Sequence, residues 1–284
     1  MHTNKTMKLA VVTFLGISLA ATGSAVAGRG ASPQSVQRAI ASGSSDAIKS
    51  ELERAEHLVC VSCVDMVKPL IDNQDQRVRQ VAAWWLARRG VARQVRVEML
   101  TRLSQPDSLA ARNAADVLGE FHYVSSIPAL SAALANPIYT GEARAAMARA
   151  LGNISRPESV PALTTALSAD NAVVRVAALR ALQSIAGLRD GRAVAPLLSD
   201  SDVSVRAEAA TTLGKFRDGS GTSALVTALQ NDQSVTVRKR AAWALGAMGA
   251  SSAEAGPALQ TAAANDASPL VRSLAGAALT KLTR

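Results

Sequence analysis

Few residues in this sequence could do chemistry, and the sharpest group is Cys60-Val61-Ser62-Cys63, which holds its only two cysteines. Thiols at this spacing admit three readings. In an oxidising compartment they close into a local disulfide, the leading reading; so small a loop removes little chain entropy and serves as a brace. As a redox pair they would exchange disulfides with a client, although the βαβ setting usual for Cys-x-x-Cys is missing. With His57 they would offer a metal three ligands, one short of a closed structural site. Haem attachment requires a histidine where Val64 stands.

Acid–base catalysis finds little support. The three histidines are His2, His57 and His122, and no His-Glu pair occurs, so the chain is read as a non-enzyme with no cofactor and no metal. The remaining conspicuous groups are tryptophans and arginines. The stretch Arg77 to Gly90, "RVRQVAAWWLARRG", contains Trp84 and Trp85, and the third tryptophan is Trp243.

The elements that hold these groups must be helical. Of 284 residues 48% are hydrophobic but only 3% aromatic, so the core is built from Ala, Leu and Val, which suits closely packed helices. Leucines recur at Leu86, Leu118, Leu151, Leu182, Leu213, Leu245 and Leu279, with spacings of 32, 33, 31, 31, 32 and 34. Seven residues before them stand Arg79, Arg144, Arg175, Arg206, Arg238 and Arg272, and only the second unit departs, with Ala111 in the slot and Arg112 after it. Most of these arginines follow a short Asp-containing turn such as "DSDVSVR", whose Asp or Ser can cap the next helix. Upstream lies a further apolar segment, often opened by proline (Pro128, Pro161, Pro196, Pro257), which fits a first helical turn. Each unit therefore reads as helix, tight turn, helix, loop. No unit of this size buries its own apolar face, so the units must stack.

The unit resembles the HEAT-like repeat, in the short form shared with phycobilisome lyases, over Leu58 to Arg284. The resemblance implies an all-α, right-handed α-solenoid of stacked helix pairs, with seven repeats over 58–284 and the second helices lining a concave surface. Residues 28–57 lack the pattern and read as an N-terminal helical cap. Repeat arrays of this kind are mostly binding scaffolds. The HEAT-like deoxyhypusine hydroxylases need several His-Glu pairs for iron, which this chain lacks.

On a wheel of about 100° per residue, Val78, Ala82 and Leu86 share the core side of the first unit's second helix. The residue two before each leucine points outward, which gives Trp84, Asp116, Arg149, Arg180, Thr211, Trp243 and Ala277. Adjacent turns add Arg88, Glu120, Lys215, Arg112 and Lys239. The expected groove thus comprises Trp84, Arg88, Arg112, Asp116, Arg149, Arg180, Lys215, Lys239 and Trp243, mainly basic with an acidic interruption at Asp116 and Glu120. Amphipathic helices need a polar face in any case. Exposed Trp beside Arg tips the reading toward a partner interface. Trp85, by contrast, flanks the core and is expected to pack against a neighbouring unit. The repeated arginines fall on the core side, where bonds to turn Asp and backbone carbonyl groups between units are expected rather than an anion ladder.

Residues 1–27 read as a cleaved signal peptide: Lys5 and Lys8, an apolar run from Leu9 to Ala21, then Ala25-Val26-Ala27. Either Met1 or Met7 could be the start. The run is short for a membrane span and no second one follows. Loss of the two lysines takes the formal charge from +9 to +7, so the exported chain stays basic. The expectation is a periplasmic or secreted, monomeric scaffold without nucleic acid, holding a protein partner by its acidic surface or segment. The alternative is a redox accessory protein that works through Cys60 and Cys63 on a client held by the solenoid.

Overall fold

The computed structural model describes residues 30–249 and 254–282, and all regular elements among them are helical. The expected signal segment lies outside the described residues. The first two helices, α1 (Pro33–Ala41) and α2 (Ser45–Arg54), form an antiparallel pair. Ser32 and Ser44 cap them by accepting backbone N–H groups, and Gly43 takes the left-handed turn between them at φ 66°.

Seven units follow. Their first elements are α3 (Val61–Val67), α5 (Ala92–Leu103), α7 (Ile127–Ala135), α9 (Val160–Ala166), a single 3-10 turn at Ala195–Ser199, α12 (Thr222–Asn231) and α14 (Ala255–Asn265). Their second helices are α4 (Gln76–Leu86), α6 (Ser108–Phe121), α8 (Gly141–Ile154), α10 (Ala172–Ser184), α11 (Val203–Phe216), α13 (Val235–Met248) and α15 (Pro269–Leu282). The fifth unit corrects an expectation: the Pro196 segment, expected to be a short α-helix like its counterparts, is only a 3-10 turn. Its apolar run, flanked by the polar stretch around Asp190 and by Asp200, is too brief to offset helix nucleation.

Local chemistry sets the ends of the second helices. Asp75, Asp107, Thr140, Asn171 and Asp202 each accept a first-turn N–H through the side chain, typically worth about 1 kcal/mol. Four residues after their leucines, His122, Ser155, Arg217 and Gly249 have positive φ, which turns the chain out of the helix.

The second helices pack side by side in unit order, and six of the seven repeat leucines, Leu86 through Leu245, are buried. The residue after the leucine sets how near neighbours come. A Cβ on Gly152 would lie 2.8 Å from the Ala181 Cα, and one on Gly246 would lie 2.8 Å from the Ala278 Cα. Gly119 against Ala150 and Gly214 against Ala244 repeat the arrangement. Between α10 and α11 it fails, because Gln183 and Thr212 occupy those slots.

Three of the six repeated arginines, Arg175, Arg206 and Arg238, tie units together at one end of this layer. Arg175 donates from Nη1 to the carbonyls of Ala169 and Asp170 in its own turn, and from Nε and Nη2 to Asp200 of the next unit at 2.8 and 2.7 Å. Arg206 does the same toward Asp232, and Arg238 toward Asp266. Arg144 instead donates to the Leu134 carbonyl. Each clamp satisfies turn carbonyls that stacking would otherwise bury unpaired.

Candidate functional site

The residues expected to line a groove lie on the layer of second helices, but their environments differ sharply. Arg180 is exposed, with its Nε 3.3 Å from Glu208. Lys215 is exposed and donates to Gln183 Oε1. Trp243 is 37% exposed and lies over the Gly214 backbone, where the missing side chain leaves room for the indole. Arg112 and Lys239 are half-buried, and Arg112 donates to Asn113 Oδ1.

Trp84 is half-buried rather than free: the Arg88 guanidinium stacks 4.2 Å from its ring centre, and Arg88 Nε reaches Glu56 of the preceding loop at 3.2 Å. Trp85 is fully buried and donates its Nε1–H to the Ala55 carbonyl, while Arg89 covers its other face and donates to the Ala55 and Glu56 carbonyls. The adjacent tryptophans thus divide their work, Trp85 fixing the first two helices to the array and Trp84 staying near solvent.

Asp116 departs from expectation. It is 4% exposed and accepts from Arg79 Nε at 3.0 Å and Nη2 at 2.6 Å, with Arg149 Nη2 a further 3.4 Å away. Arg79 finds no turn aspartate at the equivalent place in the second unit, so its guanidinium turns inward to this carboxylate. A single-helix wheel cannot show that, because the neighbouring second helices close over the residue. One turn on, burial pushes the Glu120 carboxyl above its ordinary value, with the Asp116 charge adding to the effect.

Several groups escaped sequence reasoning. Glu208, buried, takes Gln183 Nε2 on Oε1 at 2.9 Å and sits 3.3 to 3.4 Å from Arg180 and Arg240 through Oε2. Gln183 also donates to Thr212 Oγ1 at 2.7 Å, and Arg240 to Thr211 Oγ1 at 2.8 Å. The legible signal was Gln183 itself, the one residue that interrupts the leucine-glycine pattern between the third and sixth units.

Two depressions adjoin these groups. One of about 240 Å³ has an apolar floor of Ala145, Val173, Val176 and Ala177, flanked by Arg149 and Arg180 on one side and by Asp202 and Ser204 at its edge. A larger one, about 800 Å³, lies at the N-terminal end between the loop after α2 and the loop after α4, and Val59, Cys60, Val61 and Val91 line it. Cys60 and Cys63 are paired in the structure. Among the described residues no group of three or more His, Cys, Asp or Glu side chains is placed to hold a metal ion, and no helix is long and apolar enough to cross a membrane.

Comparison with known proteins agrees with this architecture. The family model for HEAT repeats matches residues 139–199 and 191–280, which together span half of the chain. A search of curated proteins found no significant match. Among solved structures, a chain of the Kap95p–RanGDP complex is similar at 15% identity and TM-score 0.55, over 87% of this chain and 40% of that one. Importin beta follows at 14% identity and TM-score 0.52, again over 87% and 40%. The E. coli protein YibA is similar at 17% identity and TM-score 0.53, over 89% and 93%. At such identities the likeness is one of fold.

Proposed function

This chain belongs to the HEAT-repeat family, and from that premise we propose that it is a non-enzymatic scaffold that holds an acidic segment of a protein partner along its second helices. The observation that carries the reading is the pairing of Arg149 and Arg180 across an apolar floor, with Lys215, Lys239 and the exposed Trp243 further along the same layer. A glutamate or aspartate side chain could meet both guanidinium groups while its aliphatic part rests on Val173 and Val176. Trp and Arg are the residue types that concentrate binding energy at interfaces. In this reading the layer is the concave face, and the mature protein begins near Gly28 and acts as a monomer in the periplasm or outside the cell.

Site-specific photocrosslinking tests the proposal. A photoreactive residue at Ser204, exposed beside the same depression, should capture a discrete protein in cells, whereas one at the exposed Val97 of α5, a first helix, should not. Capture at Ser204 should weaken as salt rises, because the contact is between charges near solvent. Equal capture at both positions, or capture at Ser204 that persists in the doubly substituted Arg149→Ala, Arg180→Ala chain, would sink the reading.

A further inference from the structure

The two sulfurs at the N-terminal end differ in access. Cys63 is 0% exposed, whereas Cys60 is partly exposed and lines the depression of about 800 Å³. The residues on either side of Cys60 are Val59 and Val61, 96% and 85% exposed. Apolar side chains so fully in water form a surface awaiting cover. Cys60 Sγ also has donors at hand: the Cys63 N–H points at it over 3.0 Å, and the Ser62 hydroxyl lies 3.4 Å away. Hydrogen bonds of this kind favour a thiolate over a thiol.

We infer that Cys60 and Cys63 form a thiol–disulfide exchange site, whose substrate is a pair of thiols on an extended, apolar segment of a client protein resting on Val59 and Val61. In the first step a client thiolate attacks Cys60 Sγ, the sulfur that solvent reaches. The Cys60–Cys63 bond breaks, its electron pair leaves with Cys63, which takes up a proton, and a client–Cys60 disulfide forms. In the second step the other client thiolate attacks the client sulfur of that bond. Cys60 leaves as a thiolate held by the Cys63 N–H and the Ser62 hydroxyl, and a stabilised leaving group speeds this release. The client is oxidised to a disulfide and the cysteine pair is reduced by the same two electrons, so one exchange needs no further reactant. The site is separate from the Arg149–Arg180 surface and does not depend on the scaffold reading.

The test uses the mature protein, with its cysteine pair oxidised, and a synthetic peptide carrying two thiols between leucine and valine residues. Free peptide thiol should disappear with one peptide disulfide formed per protein molecule, and Val97→Ser, at an exposed position of α5, should leave that rate unchanged. Replacing both valines, Val59→Ser with Val61→Ser, should slow the peptide reaction about tenfold while dithiothreitol reduces the pair at the wild-type rate. With a single-thiol version of the peptide, activated as its disulfide with 2-nitro-5-thiobenzoate, Cys63→Ala should retain the peptide as a mixed disulfide visible as a mass increase, and Cys60→Ala should not. Peptide thiols left intact by the wild-type protein would overturn the inference. So would equal trapping by the two alanine variants, or a valine variant that is slowed equally, or not at all, toward both reductants.

Discussion

The junction of α8 with α10 and that of α10 with α11 join the same kind of helix in the same order, yet they are made differently. In the first, Gly152 lets the Ala181 backbone come against the helix with no side chain between. In the second, Gln183 faces Thr212, and a polar bridge with Glu208, Lys215 and Arg180 fills the gap. Outside the bridge, the Arg175–Asp200 clamp holds the end of the second junction in the same manner as Arg206–Asp232 and Arg238–Asp266 hold later ones. The helix ends are therefore tied by a repeated device, while the distance between helix centres is decided locally by one residue after each leucine.

Substitutions at the two junctions should separate these roles. The largest effect is expected from Gly152→Val, whose Cβ has no room against the Ala181 backbone; overpacking there should cost about 3 kcal/mol, read as a lower denaturant midpoint. An unchanged midpoint would show that α8 and α10 are free to separate. A smaller loss, about 1–2 kcal/mol, is expected for Gln183→Leu, which keeps bulk but leaves Glu208 Oε1 and Thr212 Oγ1 without their amide donor. If that variant proved more stable than wild type, the bridge would be a packing filler and not a bond network.

The smallest effect concerns the clamps. The hydrogen bond from Arg238 holds the Asp266 carboxyl below its ordinary value and correspondingly raises Arg238. A carboxyl shifted down on folding stabilises the native state fully above the unfolded value, about 4, and loses that contribution as pH falls through the folded one. Thermal melts between neutral pH and about pH 3 should show this acid loss in the wild type, with a shallower slope for Arg238→Ala. Identical slopes would remove Asp266 from the account.

The array was legible because the leucines and arginines recur at one period, and because arginines on the core side of a helix must find acceptors there. The clamps are those acceptors. The family model begins at residue 139, where the pattern becomes regular, and the irregular first units are also where the wheel misplaced Asp116. A wheel describes one helix in isolation, whereas the burial of Asp116 is set by Arg79 one unit before it and Arg149 one unit after. The shrinkage of a helix to the turn at Ala195–Ser199 was hidden for a related reason, since proline and leucine mark an apolar segment but not its length. The Glu208 network was partly visible in Gln183, but its partners sit at unremarkable positions that only the fold brings together.

The Gln183–Thr212 bridge also has a mechanical meaning. A stack in which each unit touches only its neighbours behaves as springs in series. Springs in series carry one force, so extension gathers at the softest. Where glycine and alanine bring backbones into contact the spring is stiff, and where side-chain amide, hydroxyl and carboxylate groups span the gap it can lengthen by trading bonds with water. Tension or torsion on this chain should then lengthen the gap between α10 and α11 more than the glycine–alanine junctions beside it.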